Sequence, residues 1–272
     1  MARATLRVGR LTPAPSQRLR HRVAWRLVPF VLPALVVGLY LVVSRTGNPY
    51  FPSIGSIASA GRATWLGRGF VENVEPSLTN LGLGYLLGVG LGVLGGVLLG
   101  EARAAREIVW PVVSFALTLP PVVLLPILLL VLGIGSIVQR TVIAFAVGII
   151  VLVNTADGVR SNDAALSDLT RVYQVRGLRR IACVVVPGAI THILAAARVG
   201  LSMAILLMVV GEMLGVPHGI GATILVAQQE FDYAEMWSGV VLLAVLGIVA
   251  NAAFVAGEGR LVKAMGLVGV RP

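Results

Sequence analysis

Residues 76–100 read PSLTNLGLGYLLGVGLGVLGGVLLG and contain no charged side chain. A helix that spans a membrane needs about 20 predominantly apolar residues, so this stretch is long enough for one span. Glycine occupies every fourth position from Gly84 to Gly100, which puts these glycines near one helix face and lets another backbone approach closely. The stretch therefore predicts a membrane-spanning helix that packs tightly against a second helix, either within a bundle or, as an alternative, between subunits.

The composition of the whole chain extends this prediction. Of its 272 residues, 57% are hydrophobic and only 12% are charged, a proportion that soluble domains rarely have. The charged residues are also confined to short blocks between long apolar runs. We predict an all-α polytopic membrane protein with about six transmembrane helices, at residues 25–44, 78–100, 111–132, 138–154, 188–214 and 237–257.

Arginine and lysine are distributed unevenly between the predicted loops. Most of the 22 basic residues fall on the side of the N-terminus, and those on the opposite side are Arg45, Arg62, Arg68 and Arg140. Basic loops stay in the cytoplasm, so both termini of this multi-pass protein of the cell (inner) membrane are predicted to be cytoplasmic. The net charge of +10 follows from the same bias, which favours anionic lipid headgroups over nucleic acid as a partner.

The same pattern divides the chain into segments. Residues 1–23 are predicted to form a basic cytoplasmic arm, residues 24–260 the transmembrane domain, and residues 261–272 a cytoplasmic tail. Residues 154–187 form a polar cytoplasmic loop that could hold two short helices. In the outer segment 45–76, apolar and aromatic residues favour an amphipathic helix at the membrane surface.

Prolines distinguish the third predicted span. It carries Pro120, Pro121 and Pro126, and proline removes a backbone donor and clashes with the preceding turn, so this helix is expected to be kinked or partly unwound. Carbonyl groups freed by a kink at membrane depth must face protein or a water-filled cavity. The kink therefore indicates either a helix that lines a translocation pathway or a bend that serves only packing.

The chain lacks the motifs of several enzyme classes. A phosphate-binding P-loop needs a lysine in a glycine-rich loop, but the only lysine, Lys263, lies in no such loop. Ser136 with His192 and His218 could suggest a serine hydrolase, but the three lie on different predicted segments. The single cysteine, Cys183, excludes an internal disulfide, and no His, Cys or carboxylate cluster has metal-ligand spacing. We predict no catalytic residue, metal site or cofactor bound by this chain.

The cytoplasmic loop resembles the Glu-Ala-Ala signature of ABC importer permeases. Counting back from Pro187, Asp168 falls on the family's Glu and Gln174 on its usual Gly. Other motifs follow in the order typical of nitrate, taurine and sulfonate permeases. They are LTLPPVVLLP at 117–126, GIGS at 133–136, VNTADGVRS at 153–161 and VGEMLGVPHGIG at 210–221. With them the chain is similar to that group over about residues 48–260.

The resemblance implies a type I ABC importer permease fold, in which the chain pairs with a second permease and translocates a small, often anionic, solute. It also implies two cytoplasmic ATPase subunits, which would bind ATP and Mg, and an extracytoplasmic substrate-binding protein. The loop would then contact the ATPase as a coupling helix, through the candidate residues Asp168, Arg171, Tyr173, Gln174, Arg176, Gly177 and Arg179. Glutamine in place of glycine removes a backbone position that permits a bend, which suggests a non-identical permease partner, a heterodimer rather than a homodimer.

Ionisable residues within a span are functional candidates, because a charge in the membrane is costly unless it is paired or hydrated. Arg198 and Glu212 lie on one predicted helix, about 21 Å apart along its axis, so they cannot pair with each other. Arg198 is expected nearer the cytoplasmic gate and Glu212 near the outer mouth. The candidate pathway residues are Ser114, Thr118, Arg198, Ser202 and Glu212.

Two other functions fit the same sequence. A secondary transporter or channel that works alone would need internal repeats or ion-coupling carboxylates, and no convincing repeat relates the two halves. A membrane scaffold descended from a permease would account for the altered loop at Gln174. Dependence of uptake on ATP rather than on a proton gradient would separate an importer permease from the first alternative.

Overall fold

The structure is a computed structural model that describes residues 31–32, 34–161, 174–175 and 177–265. The chain divides into two compact units, Met1–Ile54 and Gly55–Pro272. In the described ranges every regular element is a helix, which confirms the predicted all-α class.

The first unit contains α1, Ala34–Ser44, which lies in the C-terminal part of the first predicted span. The chain turns after α1, and the Tyr40 hydroxyl donates to the Pro52 carbonyl oxygen at 2.8 Å. The rings of Tyr40 and Phe51 meet edge to face, with their centroids 6.1 Å apart. These two contacts hold the turn against α1.

The second unit begins with α2, Ile54–Trp65, where the sequence predicts an amphipathic helix. The helices after it are α3 Glu75–Glu101, α4 Arg103–Thr118, α5 Leu124–Leu132, α6 Ser136–Arg160, α7 Val186–Gly215, α8 Ile220–Gln229 and α9 Tyr233–Ala264. Two wide π-helical turns, Phe70–Val74 and Ile181–Val185, lead directly into α3 and α7. A short helical turn, Gly177–Arg180, precedes the second of them, so the helical segment Gly177–Leu214 is continuous.

Not every predicted span is confirmed. The helical segments of the described chain that are long and apolar enough to cross a membrane number four: Phe70–Glu101, Ser136–Arg160, Gly177–Leu214 and Tyr233–Ala264. A fifth crossing results only if α4 and α5 count as one span, since they are bent by 86° at the break between them. The predicted number of six is therefore not reached in the described residues. The sequence also gives no prediction of α8.

The proline cluster breaks the third predicted span, as expected. α4 ends at Thr118, Leu119 and Pro120 have extended backbone, and one 3₁₀ turn at Pro121–Val123 leads to α5. A residue before proline is pushed out of the α region, which explains why Leu119 leaves the helix. The break is sharper than a simple kink, and α4 begins at Arg103, earlier than the predicted limit.

The glycine face of α3 packs on α6. A Cβ atom at Gly88 would lie 2.8 Å from the Ala144 carbonyl oxygen, and one at Gly92 would lie 2.7 Å from the Gly148 carbonyl oxygen. The two backbones are therefore in direct contact, which confirms the predicted close packing and places it inside the bundle. The main core lies along this contact and against α7, and its fully buried side chains include Ile143, Val147, Val151, Leu207 and Met208.

Exposed apolar faces account for many of the remaining hydrophobic residues. The side of α3 opposite its glycines carries Leu86, Leu91 and Leu94, which are 67%, 63% and 70% exposed. α9 is covered least among the spanning helices, since only 6% of its most apolar stretch is buried. Apolar surface on this scale requires lipid or a neighbouring subunit around it.

Candidate translocation pathway and coupling segment

Part of the predicted ATPase contact lies in the described chain. Gln174, Gly177 and Arg179 are exposed, and the side chain of Leu178 between the last two is 84% exposed. This end of the loop therefore presents both charged and apolar groups, as a surface for a protein partner does. The other predicted contacts lie outside the described residues: Asp168, Arg171, Tyr173 and Arg176.

The backbone at Gln174 takes a conformation that glycine adopts most readily. Its φ is +52°, in the left-handed region that disfavours residues with a side chain. Gly177 has a φ of +62°, so the chain turns twice through this region before α7. The bend is thus kept without the family's glycine, at a cost of about 1–2 kcal/mol. The expectation that glutamine removes the bend is wrong for the backbone.

Two contacts hold the helix ends on either side of this loop. The Arg180 guanidinium pairs with the Glu101 carboxylate at the end of α3. A Cβ atom at Gly158 would lie 2.7 Å from the His192 Cβ atom, so α6 and α7 are in close contact near the loop. The described ends of the loop therefore adjoin helices that are in contact with one another.

Arg198 and Ser202 lie on an exposed face of α7, one helical turn apart. The Arg198 Nε–H donates to Asn251 Oδ1 on α9 at 3.1 Å. The adjacent Ala197 carbonyl oxygen accepts from the Tyr85 hydroxyl at 2.9 Å, and Tyr85 lies near the middle of its 32-residue helical segment. Arg198 therefore lies level with the middle of that segment.

The other two hydroxyl candidates lie on α4. Ser114 and Thr118 are both exposed, and the Thr118 hydroxyl donates to the Phe115 carbonyl oxygen at 2.7 Å. In the described chain α4 packs on α3 and α6 and makes no major contact with α7. A single subunit therefore does not bring this pair together with Arg198 and Ser202.

Glu212 is buried and does not face an open pathway. It is 2% exposed, and its Oε2 atom accepts from the Gly221 N–H at 2.8 Å. A Cβ atom at Gly219 would lie 2.6 Å from Glu212 Cδ, so glycine is needed for the chain to close over the carboxylate. The carboxylate lies at the first turn of α8, where the helix dipole favours negative charge. Its burial does not agree with the prediction that Glu212 lines the pathway at the outer mouth.

Residues that the sequence analysis does not single out hold the same junction. Ser77 Oγ accepts from the Ile220 N–H at 3.1 Å and donates to the Asn73 carbonyl oxygen at 2.8 Å. Asn73 Oδ1 accepts from the Gly219 N–H at 3.2 Å. The first N–H groups of α8 are thus bound by α3 and the turn before it. Asn and Ser are ordinary polar residues near a helix start, so their pattern gives little signal in the sequence.

A second polar cluster joins α3 to the start of α6. Arg140 Nε–H donates to Asn80 Oδ1 at 2.8 Å, and Asn80 Nδ2–H donates to Gln139 Oε1 at 2.6 Å. Asn80 and Gln139 are both buried. Arg140 therefore lies near the start of α6, within the predicted span 138–154, and is paired, although the charge count assigns it to the outer side. This cluster, too, is missed by sequence reasoning.

The motifs of the loop and of the α7–α8 junction belong to one known family. The chain matches the binding-protein-dependent transport system inner membrane component family over residues 88–266, which is more than half of its length. The chain belongs to this family. It is therefore the membrane-spanning permease subunit of an ABC importer, and it is a transport subunit rather than an enzyme.

Relatives of this permease carry names of the same kind. It is 28% identical over 231 residues to the putative aliphatic sulfonates transport permease protein SsuC of Bacillus subtilis (strain 168), covering 84% of this chain and 83% of the relative. It is 24% identical over 191 residues to the nitrate import permease protein NrtB of Leptolyngbya laminosa, covering 70% and 68%. The predicted likeness to nitrate and sulfonate permeases is confirmed.

The permease also resembles a solved structure. A chain of the MetNI methionine ABC transporter, in an inward-facing conformation, superposes with a TM-score of 0.60 at 18% identity, covering 71% of this chain and 94% of that chain. This likeness confirms the type I importer permease fold. A permease of this class lies in the membrane and works with ATPase subunits and a substrate-binding protein.

Proposed function

We propose that this permease receives ATPase work through residues 163–180 and moves a small solute, delivered by the binding protein, along a pathway shared with a second permease. The observation that carries this proposal is the continuous 38-residue helical segment Gly177–Leu214, which joins the described end of the loop to Arg198 and Ser202. A helix of this length can transmit a displacement from one end to the other. Rigid-body rocking of the two permeases would then open the pathway to either side in turn.

The positions of charged residues support a cytoplasmic location of the loop and of both termini. Arg103 begins α4, Arg160 ends α6, and Arg180 pairs with Glu101, so basic groups cluster at the helix ends around the loop. Basic residues concentrate on the cytoplasmic side of bacterial membrane proteins. In this arrangement residues 1–23 and 261–272 are a cytoplasmic arm and tail.

The energy for transport would come from separate subunits. The chain has one lysine, Lys263, and no glycine-rich loop around it that could cradle a nucleotide phosphate. We therefore assign ATP and Mg to the ATPase subunits and no cofactor to the permease. The loop is the segment through which those subunits would act on it.

Coupling through the loop is tested with the Asp168→Ala, Arg171→Ala double variant. Loss of two charged contacts at about 1.5–3 kcal/mol each is expected to lower ATP-driven uptake at least tenfold. Uptake is measured in liposomes that contain the complete importer, with the ligand that a thermal-shift screen of the binding protein identifies. The amount of double variant in the membrane should equal that of the unmodified chain.

The control variant is Arg103→Ala, Glu107→Ala, which removes one exposed basic and one exposed acidic side chain at the start of α4, outside the loop. It is expected to retain full uptake. Unchanged uptake by the loop double variant at equal expression would contradict the assignment of the coupling loop.

We further propose that the second permease is a non-identical chain. The departure at Gln174 supports this, because two identical loops would both carry the strained bend. Purification of the tagged permease from native membranes is expected to recover a different permease together with the ATPase. Recovery of only this chain and the ATPase would show a homodimer instead.

A further inference from the structure

Arg198 places a positive charge deep in the membrane-spanning region. It lies near the middle of the 38-residue segment Gly177–Leu214, and its neighbour Ala197 contacts Tyr85 near the middle of another 32-residue segment. A charged side chain at this depth costs about 2.5–3.5 kcal/mol or more when it faces lipid. Such residues normally face the interior of an assembly or a water-filled cavity.

Nearby carboxylates do not neutralise this charge. The ion pairs within the described ranges involve Arg103, Arg160 and Arg180, and Arg198 takes part in none of them. Its guanidinium donates a hydrogen bond to the amide oxygen of Asn251, a neutral side chain. The contact occupies Nε–H and fixes the guanidinium, while the terminal Nη groups keep donors for a further acceptor.

Three polar residues share this face. Ser202 follows Arg198 by one turn of α7, and Asn251 lies across from Arg198 on α9. All three are exposed in the permease chain, although both helices are otherwise rich in apolar side chains. A guanidinium beside a hydroxyl matches the oxygen atoms of a small anion, since its planar fork can donate two parallel hydrogen bonds.

We propose that Arg198 and Ser202 form a binding site for a small anion at mid-membrane depth and that Asn251 positions the guanidinium. The inference rests on the proposed function, because it assumes that this face of α7 borders the shared pathway. Sites near the middle of the bilayer are typical of transport proteins, where a solute must be held weakly on its way across. A lipid headgroup is a poor alternative occupant because headgroups lie at the membrane surface.

Cysteine labelling tests the site without knowledge of the natural solute. Cys183, the only cysteine, is first replaced by serine, and Ser202→Cys is then introduced. The complete complex in phosphatidylcholine nanodiscs is treated with a thiosulfonate reagent that carries a sulfonate, and in parallel with one that carries a trimethylammonium group. Each rate of cysteine labelling is divided by the rate at which the same reagent reacts with a small thiol in solution.

The normalised rate is expected to be about tenfold higher for the anionic reagent, because the guanidinium attracts it. Arg198→Gln should abolish this preference, Arg198→Lys should keep most of it, and Asn251→Ala should reduce it by a smaller factor. The size-exclusion elution profile of each variant shows whether it is folded. If Arg198→Gln is not folded, Arg198→Lys, which keeps the charge, is compared with Asn251→Ala instead. A merely structural role for Arg198 would not change a ratio between two reagents.

The matched control is Leu86→Cys, at the residue next to Tyr85 and 67% exposed on the apolar face of α3. It is expected to react with neither reagent because lipid or a neighbouring subunit keeps aqueous reagents from that apolar face. The proposal is overturned if Ser202→Cys is also unreactive, or if Arg198→Gln leaves the ratio unchanged. It is overturned too if added phosphatidylglycerol alone blocks the anionic reagent, since a lipid headgroup would then be the occupant. Because no ATP is needed, these results do not depend on whether the loop couples to the ATPase.

Discussion

The Gly96→Leu variant is expected to yield almost no folded permease, whereas Gly90→Leu on the same helix should accumulate normally. A Cβ atom at Gly96 would lie 2.5 Å from Thr155 Cβ and 2.6 Å from the Leu152 carbonyl oxygen. A Cβ atom at Gly90 would have nothing within 4 Å. The two substitutions add the same side chain to α3 and differ only in which face receives it.

The physical reason is that the obstacle at Gly96 includes backbone atoms of α6. A side chain can rotate away from a clash, but a carbonyl oxygen within a helix cannot move without moving that helix. Overpacking in a well-packed core costs about 1–3 kcal/mol, and occasionally more. Because Gly88 and Gly92 hold α6 equally close, α3 cannot tilt away at one position alone. We therefore expect a loss at the upper end of that range.

The measurement is the yield of monodisperse protein in detergent and its thermal unfolding midpoint. Gly96→Ala adds a smaller side chain at the same position. This variant is expected to fold, with a thermal unfolding midpoint below that of the unmodified chain. Equal midpoints for Gly96→Leu and Gly90→Leu would show that α3 and α6 do not pack through the glycine face.

Replacing Glu212 by leucine is expected to destabilise the α7–α8 junction strongly. The leucine side chain cannot accept the hydrogen bond that Gly221 N–H donates to Glu212 Oε2. A buried donor left without a partner costs about 1–3 kcal/mol. Gly219 closes directly over the carboxylate, so the branched leucine must also be fitted beneath it. The loop between α7 and α8 should become accessible to protease.

The thermal unfolding midpoint and the rate of limited proteolysis measure this effect. Glu212→Gln keeps an acceptor oxygen in the same place and is expected to lie between the leucine variant and the unmodified chain. The control is Glu107→Leu, since Glu107 forms an exposed pair with Arg103 and such pairs contribute about 0–1 kcal/mol. Equal midpoints for Glu212→Leu and the control would rule out a structural role of the carboxylate.

The parts of the fold that follow from one-dimensional patterns are the spanning helices and the break at the prolines. Charge-free length predicts α3, and its repeated glycines predict a close helix contact, because both depend only on spacing along one helix. The broken third span follows from the effect of Pro120 on the residue before it. The family motifs, too, are patterns of spacing along the sequence, so they could be found without knowledge of the tertiary structure.

What the sequence analysis misses depends on contacts between distant segments. Arg140 resembles an unpaired charge at the outer membrane surface until Asn80, on another helix, is seen to bind it. Glu212 resembles a pore-lining charge until the turn at Gly219 is seen to cover it. Gln174 adopts a left-handed backbone that its residue type disfavours, so its identity argues against the observed conformation. For Arg140 and Glu212 the deciding partner lies on another segment of the chain.

The π-helical turn Ile181–Val185 sets the angular register between the two ends of the long helical segment. Such a turn holds more residues per revolution than an α-helix, so it changes the direction in which the preceding residues point. Each residue of a regular α-helix advances the direction by about 100°. Deleting or inserting one residue here would rotate the exposed face around Arg179 relative to the face of Arg198, although neither surface would itself be altered. Five residues therefore set the relative orientation of the exposed end of the loop and of the face that carries Arg198.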